Sequence, residues 1–295
     1  MHNRLLALGV TLTGLTFLAP QIYAQSSTSG RFTVTIEGAP DGPAVLFLPG
    51  LASSRSVFDT EASLLAANYR LYRIQINGFA GQPAGLNAAG PILDPLVTDL
   101  HQYIVATHLH PAVIGHSLGG LLGLMLAASH PDDVQKLMIV DAFPFWGYAF
   151  NPEATAESIR PTGKQMQDEM LKASYAEFKF GAGKSSESLV TDPANRKLVT
   201  EMALTSDRAV FAEALYDDIT TDVRPRLARL TTPTELLYPY DATLQGPNSA
   251  AVDKLYVTAY AGMPLIKMHR IDGSRHFIMY DQPVAFDAAV QAFLK

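Results

Sequence analysis

Residues 112–123, AVIGHSLGGLLG, constrain the fold more than any other stretch of the chain. An apolar, β-forming run over 112–115 passes through Gly115-His116-Ser117-Leu118-Gly119, and a helical run over 118–130 follows at once. A chain that goes from buried strand to buried helix without a loop must turn sharply, and the residues flanking the turn must be small. Gly115 and Gly119 meet that demand. The turn leaves the Ser117 hydroxyl at a helix N-terminus, where free N–H groups and the helix dipole favour developing negative charge. The five-residue pattern alone is common. Its flanking strand and helix are what make Ser117 a candidate nucleophile.

The same alternation runs through most of the chain. Strands are expected at 31–37, 44–48, 71–76, 112–115, 137–140, 235–238 and 265–271, several of them short continuous apolar runs. Helical spacing falls between them, at 57–68, 93–109, 118–130, 250–262 and 284–294. This order predicts an α/β protein with a mostly parallel central sheet flanked by helices on both faces. A Gly-rich stretch, 78–90, reads as a flexible loop that borders an entrance.

From 143 to 229 the alternation fails: amphipathic segments such as 164–178 and 196–218 appear, with no buried strand. The expected organisation is a core of 25–142 and 230–295 with a helical cap of 143–229 between two core strands. Ligands of open α/β sheets bind outside the carboxyl ends of the strands, so an insertion there would roof the site. A helical decoration that merely extends the core is the alternative.

The chain begins Met1-His2-Asn3-Arg4, followed by an uncharged run over 5–19, Pro20, and Ile22-Tyr23-Ala24. This is the layout of an export signal of residues 1–24, too short in its apolar part for a comfortable membrane span. Cleavage would leave Gln25 first, a periplasmic or secreted protein and no stable membrane insertion. The formal net charge of −6 argues against nucleic acid as a partner, because binding it needs a basic face. The chain has no cysteine, which removes thiol nucleophiles, thiolate metal sites and disulfides together. No close metal-ligand spacing is present, so neither a metal nor a cofactor is expected.

A serine nucleophile needs a base, and the base needs an orienting acid. Of eight histidines, His2 lies in the signal, and His101, His108, His110 and His130 lie on or beside helices. His269 falls in a strand, and His116 sits in the turn with its side chain directed away from the nucleophile. His276 remains, in Gly273-Ser274-Arg275-His276-Phe277, between the last strand and the last helix. Two acids follow strands at the correct edge: Asp241 after 235–238, which is favoured, and Asp141 after 137–140.

Together these residues resemble the α/β-hydrolase superfamily from about residue 31 onward. The resemblance rests on Leu48-Pro49-Gly50-Leu51, Gly115-His116-Ser117-Leu118-Gly119-Gly120, Val140-Asp141, Asp241, His276-Phe277 and Asp281-Gln282-Pro283. It implies a Ser117–His276–Asp241 triad, since the family's acid usually follows the strand after the cap; members with the acid one strand earlier keep Asp141 open. It also implies an oxyanion hole from the amides of Leu51 and Leu118. Arg275 departs from the glycine that often precedes the histidine, Pro49-Gly50 replaces a common His-Gly, and the usual two leading strands look shortened to one. Related epoxide hydrolases and haloalkane dehalogenases carry a carboxylate where Ser117 stands, so ester chemistry is expected instead.

The expected reaction is hydrolysis of a small, fairly apolar ester or lactone through an acyl-enzyme, with that small molecule as the partner. Phe143, Phe145 and Trp146, followed by Tyr148 and Phe150, are candidates for substrate contact, with packing between cap and core as the alternative. An acyltransferase, a carbon–carbon or amide hydrolase, or a non-catalytic binding member of the fold would use the same pocket. The sequence sets no oligomeric state.

Overall fold

A computed structural model describes residues 25–295 other than 245, so the expected signal segment lies outside the described residues. Eight strands form one sheet in the order β1-β2-β4-β3-β5-β6-β7-β8. They are β1 (Gln25–Thr28), β2 (Phe32–Gly38), β3 (Ala44–Leu48), β4 (Arg70–Ile76), β5 (Ala112–His116), β6 (Lys136–Val140), β7 (Thr234–Tyr240) and β8 (Ile266–Asp272). β1 and β2 are antiparallel to their neighbours, and β4 through β8 with β3 run parallel. The mostly parallel α/β sheet is therefore as the alternation implies. One expectation is corrected: there are two leading strands. The first is Gln-Ser-Ser-Thr, whose polar residues show no alternation and read as a spacer.

Parallel strands buried on both faces must be apolar throughout. In β3, Val45 and Phe47 pack on one side of the sheet, and Leu46 and Leu48 on the other. The first side is covered by α1 (Asp59–Leu65) and the C-terminal α11 (Pro283–Leu294), through Leu65, Phe286, Val290 and Phe293. The second carries α2 (Leu93–Ala106), α3 (Leu118–Ser129) and α9 (Ser249–Ala259), through Leu96, Leu100, Leu122 and Tyr256. α3 is apolar all round and buried almost along its length, as a helix enclosed by sheet and cap must be.

Between β6 and β7 lie α4 (Gly147–Phe150), α5 (Ala156–Lys172), α6 (Tyr175–Leu189), α7 (Pro193–Thr205) and α8 (Arg208–Thr220). Each expected amphipathic segment here is two helices. Ser174 ends the first: its hydroxyl accepts from the Glu177 amide, and its own amide donates to Glu177 Oε2 at 2.7 Å, a reciprocal cap. Asp207 divides the second by capping α8. A last short helix, α10 (Ile278–Asp281), precedes α11. No helix among the described residues is long and apolar enough to cross a membrane.

The glycine-rich stretch 78–90 is pinned rather than poised at an entrance. Asp207 N donates to Gly78 O at 2.7 Å, Gly81 N to Thr205 O at 3.1 Å, and Ala80 N to Ser206 Oγ at 2.9 Å. It anchors the α7–α8 junction, and none of its residues lines the main cavity.

Candidate active site

Ser117 sits between β5 and α3 at φ 54°, ψ −123°, a left-handed conformation that a serine adopts only when its surroundings impose it. The imposition is visible in the neighbours. A Cβ on Gly115 would lie 2.2 Å from the Gly119 carbonyl oxygen, and one on Gly119 would lie 2.1 Å from the Leu48 carbonyl oxygen. The Ser117 amide donates to Val140 O at 2.8 Å, locking the turn to the end of β6. Gly50 completes the cradle, since a Cβ there would meet His116 Nδ1 at 2.9 Å and Ser117 Cβ at 3.1 Å.

His276 follows β8 and turns Nδ1 to Asp141 Oδ2 at 2.6 Å. A ring nitrogen held by a carboxylate in this way carries the proton, which leaves Nε2 free to accept one. Asp141 stands at the end of β6 with φ 47°, its amide donating to Leu237 O at 2.8 Å. The other carboxylate oxygen accepts from the hydroxyl of Tyr256 on α9. Tyr256 is stacked between Phe143 and Tyr238, with ring centroids 4.7 and 4.5 Å away. Burial, and then the charge of Asp141, push the Tyr256 phenol well above its ordinary range, so it stays a donor.

The acid expected from the sequence is thereby corrected. Asp241 does not meet His276; its Oδ2 accepts from Arg275 Nε at 2.7 Å, and its Oδ1 from Thr243 N and Oγ1 at 2.9 and 2.7 Å. Burial works against its ionised form, but the bonds from Thr243 and Arg275 outweigh it and hold the carboxyl below the ordinary value. Arg275 also donates to the carbonyls of Glu187 and Val190 at the end of α6, and its amide donates to Asp281 Oδ2 at 2.8 Å. The pair therefore clamps the histidine loop to the β7 loop and the cap.

His116 is fully buried, and its Nε2 donates to the His276 carbonyl at 3.0 Å. Burial, reinforced by nearby His276, pushes its pKa well below the ordinary value, so it is a neutral strut under the histidine loop. The amides of Leu51 and Leu118 donate to no protein acceptor among the described residues, which leaves both able to meet an acceptor from outside the chain. Ser117 and His276 open on the same cavity without a hydrogen bond between them in this structure.

That cavity has a volume of about 770 Å³ and lies between the strand ends and the inserted helices. Phe143 and Trp146 line it. Phe145 does not: it is fully buried beneath the Arg224 guanidinium, which sits 4.4 Å over its ring, so this aromatic packs cap to core. Sequence reasoning missed Tyr256, which reads as part of an apolar helix stripe, and Asp218, the last residue of an amphipathic segment and a wall of the cavity. Among the described residues one group has metal-ligand types close together, His101, His130 and Asp133, and none of the three lines the cavity.

A model of the Alpha/beta hydrolase family matches residues 45–289. RutD of Yersinia enterocolitica, named a carbamate hydrolase, is 29% identical over 114 residues, which are 38% of this chain and 41% of that protein. The chain thus spans about two fifths of that relative's length. Epoxide hydrolase 4 of Mus musculus is 25% identical over 94% of this chain and 80% of its own. The crystal structure of the enol-lactonase from Burkholderia xenovorans superposes with a TM-score of 0.73 at 17% identity, covering 92% of this chain and 99% of that one.

Proposed function

Since this chain belongs to the alpha/beta hydrolase family, we propose that it is a serine hydrolase that cleaves a small, fairly apolar carboxylic ester or lactone. Ser117 Oγ attacks the carbonyl carbon while His276 Nε2 takes its proton. Asp141 holds the imidazole in the productive tautomer and stabilises the imidazolium. The tetrahedral oxyanion is received by the amides of Leu51 and Leu118, each worth about 3 kcal/mol of barrier in such sites. His276 then protonates the leaving alcohol, and water activated by the same nitrogen releases the acid from the acyl-enzyme.

The single observation that carries this reading is the Asp141–His276 hydrogen bond, which orients the base toward a cavity that the strained Ser117 also lines. Hydrolysis of p-nitrophenyl esters from acetate to palmitate tests it. Wild type should turn over the short and middle members, with turnover lost in Ser117→Ala and His276→Ala. A folded wild type without ester turnover would move the search to amides, carbamates and carbon–carbon bonds.

Export is part of the proposal and rests on the layout of residues 1–24. N-terminal sequencing of protein recovered outside the cytoplasm should begin at Gln25.

A further inference from the structure

Two adjacent acids on α8 have opposite situations. Asp217 Oδ2 accepts from the amides of Ile92 and Leu93 at 2.6 and 3.1 Å and so caps α2. Asp218 accepts no hydrogen bond from the described residues, is only 8% exposed, and lines the cavity that holds Ser117 and His276. Its carboxyl faces the open cavity, where a donor from outside the chain can reach it. A carboxyl in the wall of a site, with no donor from the described residues, suits a ligand that supplies the donor.

The surrounding charges say what kind of ligand. Neither lysine nor arginine lines the cavity, whereas Glu169 and Glu177 do so as exposed residues at its rim. The titratable groups that share the space with Asp218 are these two, the Asp141–His276 pair, Tyr256 and His116; Asp141 is already committed to His276 and Tyr256. Burial, partly offset by His276, pushes the Asp218 carboxyl up to about 7, and a cation placed beside it would restore the ionised form. Trp146 and Phe211 also line the cavity, and aromatic side chains attract ammonium as well as apolar groups.

We propose that the cavity is selective for an alkylammonium group received by Asp218, so that the preferred substrate is an ester with a cationic amine on an otherwise apolar body. The inference deepens the ester reading and rests on it for the reaction, though not for the binding. Anionic acyl chains would meet Asp218 with no lysine or arginine in the lining to offset it. Purely apolar ones would leave its carboxyl unpartnered.

Two measurements separate the site from the reaction. Calorimetry with octylammonium, 1-octanol and octanoate on wild type, Ser117→Ala and Asp218→Asn reads binding without turnover. Octylammonium should bind wild type and Ser117→Ala alike, at least about tenfold more tightly than either analogue, and the preference should vanish in Asp218→Asn. Equal binding of 1-octanol, or an unaltered preference in Asp218→Asn, overturns the proposal. In kinetics, p-nitrophenyl 6-aminohexanoate should exceed the heptanoate by about tenfold in kcat/KM, with the ratio collapsing in Asp218→Asn mainly through KM. Asp218→Glu should restore part of it. Loss of ester turnover altogether would sink the hydrolase reading and leave the calorimetric test standing.

Discussion

Tyr256 donates its hydroxyl to the Asp141 oxygen that His276 leaves free. The carboxylate is thereby held at both oxygens, one by the imidazole it orients and one by a buried phenol from a helix far along the chain. Removing the phenol oxygen leaves Asp141 free to rotate and one of its oxygens unpartnered. Tyr256→Phe keeps the stack with Phe143 and Tyr238, so the fold should survive. A bond to a charged group is worth about 2 kcal/mol, so kcat should fall by up to about thirtyfold, with KM little altered. Steady-state kinetics on p-nitrophenyl butyrate, with a melting curve as control, checks this. An equal loss in KM would mean that Tyr256 acts on substrate binding instead.

The two aspartates that follow strands at the same edge should separate cleanly. Asp141→Asn should reduce kcat by about 10⁴, because the amide favours the wrong imidazole tautomer. Asp241→Asn should spare most of the chemistry and lower stability modestly, since the Arg275–Asp241 pair is half-buried. Breaking a half-buried pair of this kind costs about 1 kcal/mol. Comparing kcat and urea midpoints for both variants decides it. Loss of chemistry in Asp241→Asn equal to that in Asp141→Asn would restore Asp241 to the triad.

The reason this choice was not legible in sequence is local. Val140-Asp141 and Tyr240-Asp241 occupy equivalent places, each at the carboxyl end of a central strand, and no spacing rule ranks them. What decides is the neighbour: Arg275, in a place where the family often has a glycine, reaches Asp241 and occupies it. The sheet, by contrast, was readable because β3, β5 and β6 are buried on both faces and must be apolar throughout. Ser117 was readable because the elbow can close only with glycine at 115 and 119. Tyr256 and Asp218 stayed hidden because an aromatic or an acid on an amphipathic helix has the same pattern whether it meets core, solvent or a cavity.

Gly50 lets the chain that carries the Leu51 amide, the proposed oxyanion donor, lie against His116 and Ser117 by having no side chain. In Gly50→Ala the new Cβ meets the His116 ring and Ser117 Cβ at 2.9 and 3.1 Å, and His116 cannot yield because its Nε2 is tied to the His276 carbonyl. The backbone carrying the Leu51 amide must move instead. A displacement near 1 Å from a developing oxyanion costs about 10² in rate. The expected result is that loss in kcat with little change in KM and continued labelling of Ser117 by a small fluorophosphonate. A kcat within twofold of wild type would show that the Leu51 amide is not an oxyanion donor.

Glu61 gives the stability of the protein a pH slope unrelated to the active site. It lies on α1, wholly buried, with its carboxyl beside that of Asp287 on α11, to which it donates a hydrogen bond when protonated. Burial first, and then the charge of Asp287, push its pKa up from 4.5 to about 8. A folded pKa above the unfolded one means that between these values the folded state holds a proton that the unfolded state has lost. The contribution is therefore fully present below about pH 4.5, declines as pH rises, and is gone above about pH 8. Glu61→Gln keeps the shape and removes the titration. Urea midpoints of wild type should fall between pH 5.5 and 8.5 more steeply than those of Glu61→Gln, with the variant the more stable at the alkaline end. Parallel slopes for the two proteins would place the origin of any alkaline destabilisation elsewhere.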